Sequence, residues 1–280
     1  MVDKFNKYWT ENPPQIWYSD KEQLSNEWFN EIAYLRYNRY YGYLPLVAEF
    51  DSHYGENVLE IGTGIGTDLI EYAKNGSITY GVDFTENAIK TTKANFKRLG
   101  LQSNLIVADA ENLPYETGAF DLIFCFGVLH HIPNIEKAIQ EIYRVLKQDG
   151  KAIIMLYAIG WKHIFKRLFI NGILRGDLFR FGYQGTINKN TEPQGDCPLT
   201  KVYTKRAIRR LFKDFDIKIT KHRLGEYFDY APYNSRKFPD IITKMIYAIG
   251  LERILGENWI VKATKSKKKK MSILKTLLKP

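Results

Sequence analysis

The 280-residue sequence predicts an α/β protein with a doubly wound, mostly parallel sheet. Three observations carry that expectation. Short apolar runs alternate with helical patterns from Asn57 onward, a glycine-rich loop follows the first run, and acidic residues stand at the ends of the first three. Near-continuous apolar strands separated by helices are the pattern of a parallel sheet covered on both faces.

The elements follow in order. Residues 1–50 read as aromatic-rich helices, with Leu24, Trp28, Phe29, Ile32 and Leu35 at helical intervals. Strands are expected at 57–61, 78–84, 104–110, 120–127 and 151–158. Helices are expected at about 66–75, 86–99 and 135–147. Asp149-Gly150 turns the chain into the fifth strand. Residues 159–202 break the alternation and mix Trp161, Phe165, Phe169, Phe179, Phe181 and Tyr183 with Lys162, Lys166, Arg167, Arg175 and Arg180. A helix over 203–215, with Thr204 as its cap, leads to a sixth strand at 216–225 and a seventh at 258–265. The two late strands are expected to pair as an antiparallel hairpin.

Composition narrows the class. Hydrophobic residues make up 45% and charged residues 26%, as in an ordinary globular protein. Cys125 and Cys197 cannot build a disulfide framework, and no leader-like or membrane-spanning apolar run is present, so a cytoplasmic home is expected. The net charge is +10, but eight of the 41 cations lie between Trp259 and Pro280, leaving 33 cations against 31 acids elsewhere. The excess is a lysine tail. It reads as a disordered end, with docking on an acidic surface as the alternative, for which Ile273, Leu274, Leu277 and Leu278 would share one helical face.

The strongest local signal is Glu60-Ile61-Gly62-Thr63-Gly64-Ile65-Gly66 directly after a strand. Glycines let a backbone turn sharply and approach a ligand, and in open α/β sheets ligands bind beyond the carboxyl ends of the strands. The register argues against a dinucleotide, because that pattern needs glycine where this chain has Thr67 or Leu69. A Walker-type Gly-Lys-Ser/Thr ending is also absent. Asp83, ending the second strand, can accept both hydroxyls of a ribose. Asp109-Ala110, ending the third, is placed to reach an adenine amino group.

Together VLEIGTGIGTD, GVDFTENAI, VADAENLPYETGAFDLIFCFGVLHHIPN and EIYRVLKQDGKAIIMLY resemble the successive motifs of class I S-adenosylmethionine-dependent methyltransferases, in the subgroup often called type 11. The resemblance covers residues 57–158 and implies a Rossmann-like, seven-stranded sheet with the last strand antiparallel. It implies that S-adenosyl-L-methionine is the cofactor. The Gly62, Thr63, Gly64 and Gly66 loop would hold its methionine end, with Glu60 supporting the ammonium group. Asp83 would bind the ribose, Phe84 would flank the adenine, and Asp109 and Ala110 would bind its edge. Phe126, Gly127 and His130 would line the reaction side. The implied organisation is an N-terminal helical lid over 1–50 and a methyltransferase domain over 51–265. That domain carries insertions at 159–202 and 226–256, and a basic tail follows at 266–280.

The implied reaction is in-line displacement at the sulfonium methyl, with His130 and His131 as candidate general bases. No cysteine or histidine spacing marks a metal site. Asn12-Pro13-Pro14-Gln15 is similar to a nucleobase-methylation motif, but it stands far from the fourth strand and lacks the closing aromatic, so nucleic acid is disfavoured. A small-molecule acceptor is expected. A macromolecular or membrane-lipid acceptor, favoured by the lysine tail, is the alternative, and a non-catalytic cofactor-binding protein the second.

Overall fold

The computed structural model describes residues 2–160, 163–222 and 256–266. Residues 226–255 of the expected helical insertion (226–256), the end of the expected sixth strand at 223–225, Trp161, Lys162 and the tail beyond Ser266 lie outside the described residues.

Seven strands form one sheet. They are β1 (Asn57–Ile61), β2 (Ile78–Asp83), β3 (Asn104–Val107), β4 (Phe120–Phe126), β5 (Leu146–Tyr157), β6 (Asp216–His222) and β7 (Asn258–Thr264), in the order β3-β2-β1-β4-β5-β7-β6. β1 pairs in parallel with β2 and β4, β2 with β3, and β4 with β5. β7 runs against β5: Lys265 N donates to Gly150 O at 3.0 Å, and Ala158 N donates to Glu257 O at 2.7 Å. The doubly wound reading, with one late strand reversed, is therefore the observed topology. Central strands β1 and β4 are buried almost throughout, whereas edge strand β3 leaves Ile106 and Val107 exposed.

Helices α4 (Thr67–Lys74), α5 (Glu86–Arg98) and α6 (Ile135–Val145) connect the parallel strands. Leu69 and Ile70 of α4 pack with Ile89 and Phe96 of α5 and Leu105 of β3. Each of these apolar side chains contributes about 1.5–3 kcal/mol by leaving water. Thr85 caps α5 by accepting from Ala88 N at 3.2 Å, and Asn134 caps α6 by accepting from Lys137 N at 3.1 Å.

Packing divides the chain into two compact units. One comprises residues 48–155, 205–219 and 261–280 and includes α4 to α6 and α8 (Lys205–Leu211). Here Glu49 accepts from Lys151 and Lys262, each at 2.6 Å, and these bonds outweigh its burial and hold its carboxyl below the usual range. Lys265 donates to Leu146 O at 2.7 Å. Two of the eight tail lysines are thus fastened to the sheet rather than solvated.

The other unit comprises residues 1–47, 156–204 and 220–260. It holds α1 (Val2–Glu11), α2 (Asn26–Leu35), which runs on as a π-turn over Arg36–Tyr40, and most of α3 (Leu44–Ala48). Trp28, Phe29 and Ile32 are buried as their spacing requires. Leu24 departs from that pattern: its φ is 67° and it is exposed, because Ser25 caps α2 one residue later by accepting from Trp28 N. The same unit contains a helical hairpin: a wide helix with π-type bonding over His163–Leu174, then α7 (Asp177–Thr191), which is kinked at Gly182.

Candidate cofactor site

β1 delivers Glu60, which is buried, and the chain then leaves the sheet by extending the β1–β2 pairing: Gly62 N donates to Val82 O at 2.7 Å. Gly62, Gly64 and Gly66 have φ of 80°, 54° and 77°, so all three occupy the left-handed region that other residues resist. Gly62 and Gly66 are also required by packing. A Cβ on Gly62 would stand 2.2 Å from Val128 Cγ2, and one on Gly66 would stand 2.6 Å from Thr92 Cγ2.

β2 delivers Asp83. Its Oδ2 accepts from Gly64 N at 3.0 Å, and its Oδ1 accepts from Thr85 N at 3.0 Å and from Thr85 Oγ1 at 3.1 Å. A carboxylate offers about four accepting positions, and these bonds, together with one from the Phe84 backbone, engage it heavily within the protein. Burial raises the Asp83 carboxyl above its ordinary range and prevails over the bonds from Thr85, Gly64 and Phe84 that favour the charge. Phe84, the next residue, is half-buried.

The third acid does not end a strand. β3 stops at Val107, and Ala108 N donates to Asp83 O at 2.9 Å, which draws the chain into a turn beside Asp83. There Asp109 Oδ1 accepts from Glu111 N at 2.8 Å, while Ala110 is buried. Glu60 near the end of β1, Asp83 ending β2 and Asp109 just past β3 therefore stand at the carboxyl ends of three adjacent strands. Phe126 ends β4, half-buried and stacked 6.0 Å from Phe124. Gly127 turns the chain at φ 86° into a 3-10 turn over Leu129–His131. His130 is 0% exposed and His131 6%.

Four residues outside the expected set hold the site. Thr92 donates to Gly64 O at 3.2 Å and Asn95 donates to Ile65 O at 2.9 Å, so α5 satisfies the carbonyls that the strained loop frees. The signal was present in the sequence as polar residues on the inward, apolar stripe of α5. Arg144 donates to Tyr115 O at 2.6 Å and Leu113 O at 2.9 Å, and Glu141 accepts from Leu113 N at 2.9 Å, clamping the segment after Asp109. This pair carried no sequence signal, because the segment it binds has no regular structure.

The arrangement fits an amino-acid-tipped nucleoside: a loop with glycine at every second position, then carboxylates spaced along adjacent strand ends. Thiol chemistry is disfavoured here, since burial pushes Cys125 far above the usual thiol range, with a contribution from Glu60. Among the described residues no group of His, Cys, Asp and Glu could hold a metal ion.

Sheet order, glycine loop and strand-end acids are similar to those of class I, S-adenosylmethionine-dependent methyltransferase domains. Residues 59–154 match the family model described as a methyltransferase domain. Sterol 4-C-methyltransferase strm-1 of Caenorhabditis elegans is 35% identical over 103 residues, covering 35% of this chain and 31% of that protein. The chain thus spans about a third of the length of this curated relative. The solved YcgJ protein of Bacillus subtilis superposes with a TM-score of 0.54 at 17% identity, over 81% of this chain and 100% of that one. A phosphoethanolamine N-methyltransferase 2 of Haemonchus contortus, solved with phosphomonomethylethanolamine and S-adenosylhomocysteine, gives 0.51 at 19% identity, over 77% of this chain and 50% of that one.

Proposed function

We propose that the protein transfers the methyl group of S-adenosylmethionine to a small-molecule acceptor. The observation that carries this reading is the direct bond from Gly64 N to Asp83, which locks the glycine loop to the strand-end carboxylate. Gly62, Thr63, Gly64 and Gly66 would cradle the methionine end, with Glu60 toward its ammonium. Asp83 would take a ribose hydroxyl. Phe84 would cover the adenine, Asp109 and Ala110 would meet its edge, and Phe126 would wall the reaction side. When bound, the cofactor supplies an electrophilic sulfonium methyl. The protein's part is to orient the two reactants and exclude water, which accounts for much of the acceleration in such displacements, on the order of 7–11 kcal/mol at most. Where the acceptor carries a proton, His131 is our candidate to receive it, because His130 is fully sealed. Relatives named for a sterol and for phosphoethanolamine support a small acceptor while leaving its class open. Binding of S-adenosylmethionine, with nicotinamide dinucleotide as the comparison, tests the reading.

A membrane-associated lipid acceptor is the second reading, and the hairpin favours it. Of seventeen large apolar side chains exposed among the described residues, eight fall between Ile164 and Tyr183. Arg175 and Arg180 are exposed beside them, and the hairpin's single acid, Asp177, is buried. An apolar face rimmed by cations suits an anionic bilayer surface.

A further inference from the structure

The same hairpin is polar where it is buried. His163, Arg167 and Asn171, spaced by four on the wide helix, are 1%, 8% and 6% exposed. Four-residue spacing places them on one face, and extended π-type bonding is rare and often found at functional positions. Asn171 donates to Asn190 Oδ1 at 2.8 Å, and Asn190 in turn donates to Asp177 at 3.0 Å. Lys189 takes the other oxygen of Asp177, also at 3.0 Å. The only acid of residues 163–191 is therefore committed to Lys189 and Asn190. Among the described residues Arg167 has no ion pair and no side-chain hydrogen bond, and its Nε is sealed from solvent without a partner. His163 Nδ1 is likewise sealed without a partner, while its Nε2 lies 3.2 Å from the Tyr183 hydroxyl.

A guanidinium this deeply buried, with its Nε sealed and no acid paired to it among the described residues, gives up favourable hydration without a compensating partner. Hydrogen-bonded buried charges are the rule, so an exception calls for a counter-ion that joins later. We propose that Arg167 and His163 form an anion-binding site that accepts the carboxylate or phosphate group of a ligand. Arg167 supplies the charge and a planar donor fork matched to two oxygens. With the Tyr183 hydroxyl donating to Nε2, the His163 ring proton sits on Nδ1 and provides a second donor. Before the anion arrives, burial and then the neighbouring Arg167 charge hold His163 down at about 4, so the ring is neutral and adds no second cation. The site stands independently of the methyl-transfer reading, because it draws on none of the residues that serve the cofactor.

Thermal unfolding of the full chain tests it, with inorganic phosphate, acetate and phenyl phosphate as probes and sodium chloride at matched ionic strength as the control. The wild-type midpoint should rise by roughly 5 °C once a probe is well above its dissociation constant. Arg167→Met should show no such rise, and without probe should be at least as stable as wild type. A larger shift with phenyl phosphate than with phosphate identifies an organic ligand carrying the anion; equal shifts identify the free ion. An equal response of Arg167→Met and wild type overturns the site, as does no wild-type response to any probe. Should Arg167→Met fail to fold, proton NMR of His163 in the wild-type chain decides: saturating phosphate should move its titration upward by about one unit, and an unmoved midpoint overturns the site.

Discussion

Gly64 donates its backbone N–H to Asp83 Oδ2 at 3.0 Å, so the loop that would hold an amino acid and the carboxylate that would hold a sugar are one mechanical unit. The glycine loop is not a flexible flap. Thr92 and Asn95 hold its carbonyls, and Asp83 accepts from Gly64 N.

Gly62→Ala tests the loop's packing. The new Cβ would meet Val128 Cγ2 at 2.2 Å and would be strained at φ 80°. A loss of about 2–4 kcal/mol in unfolding free energy is expected, combining overpacking with backbone strain. Val128→Ala in the same chain should restore part of the loss, because it removes the clash and leaves the strain. Denaturant unfolding of the two single variants and the double variant measures this; strict additivity would contradict the contact.

Arg144→Ala should loosen the turn after β3. Four hydrogen bonds, to Tyr115 O, Leu113 O and both carboxylate oxygens of Glu141, disappear at a cost of about 2 kcal/mol. Amide exchange over residues 109–118 should accelerate at least tenfold while exchange in β1 and β4 stays slow. Arg144 also holds the Glu141 carboxyl below its usual range. A depressed carboxylate stabilises above its unfolded pKa and loses that contribution as pH falls through the folded value. Wild type should therefore keep its advantage over Arg144→Ala at neutral pH and lose it in acid.

Vesicle sedimentation tests the lipid reading. Phe165 and Phe169 stack at 5.8 Å on the exposed face, and Phe165→Ser with Phe169→Ser removes two apolar anchors. Wild type should co-sediment with vesicles of equal parts phosphatidylglycerol and phosphatidylcholine, and the double variant should bind roughly tenfold more weakly. Wild type remaining in the supernatant would contradict this reading and leave methyl transfer untouched.

The sheet was legible because its strands are short, apolar and separated by helices with clear periodicity, as in the Ile135, Ala138, Ile139 and Ile142 stripe of α6. Boundaries were less so. Asp109 was expected to end a strand, but the chain turns after Val107, and apolar pattern alone cannot locate where an edge strand stops pairing. Leu24 fits the helical period yet lies before the cap, since Ser25 decides the start of α2. The glycines were identified for the right position but incompletely explained: Gly62 and Gly66 make room for Val128 and Thr92, and only tertiary packing reveals that. Thr92, Asn95 and Arg144 act at distances of 28 to 31 residues along the chain, so even where a polar residue on an apolar stripe marks Thr92 and Asn95, nothing local names the partner.

Calorimetric titration of S-adenosylmethionine and S-adenosylhomocysteine into the wild-type chain and into Asp83→Ala is the most direct measurement. Wild type should bind both with one site per chain, and Asp83→Ala should bind at least tenfold more weakly, having lost the ribose contact and the anchor of Gly64 together. Because burial raises the Asp83 carboxyl, wild-type affinity should begin to fall at a higher pH than an exposed aspartate would give, and Asp83→Ala should lack that acid limb. No heat with either nucleoside, or undiminished affinity in Asp83→Ala, would contradict the assignment of this loop and carboxylate to the cofactor.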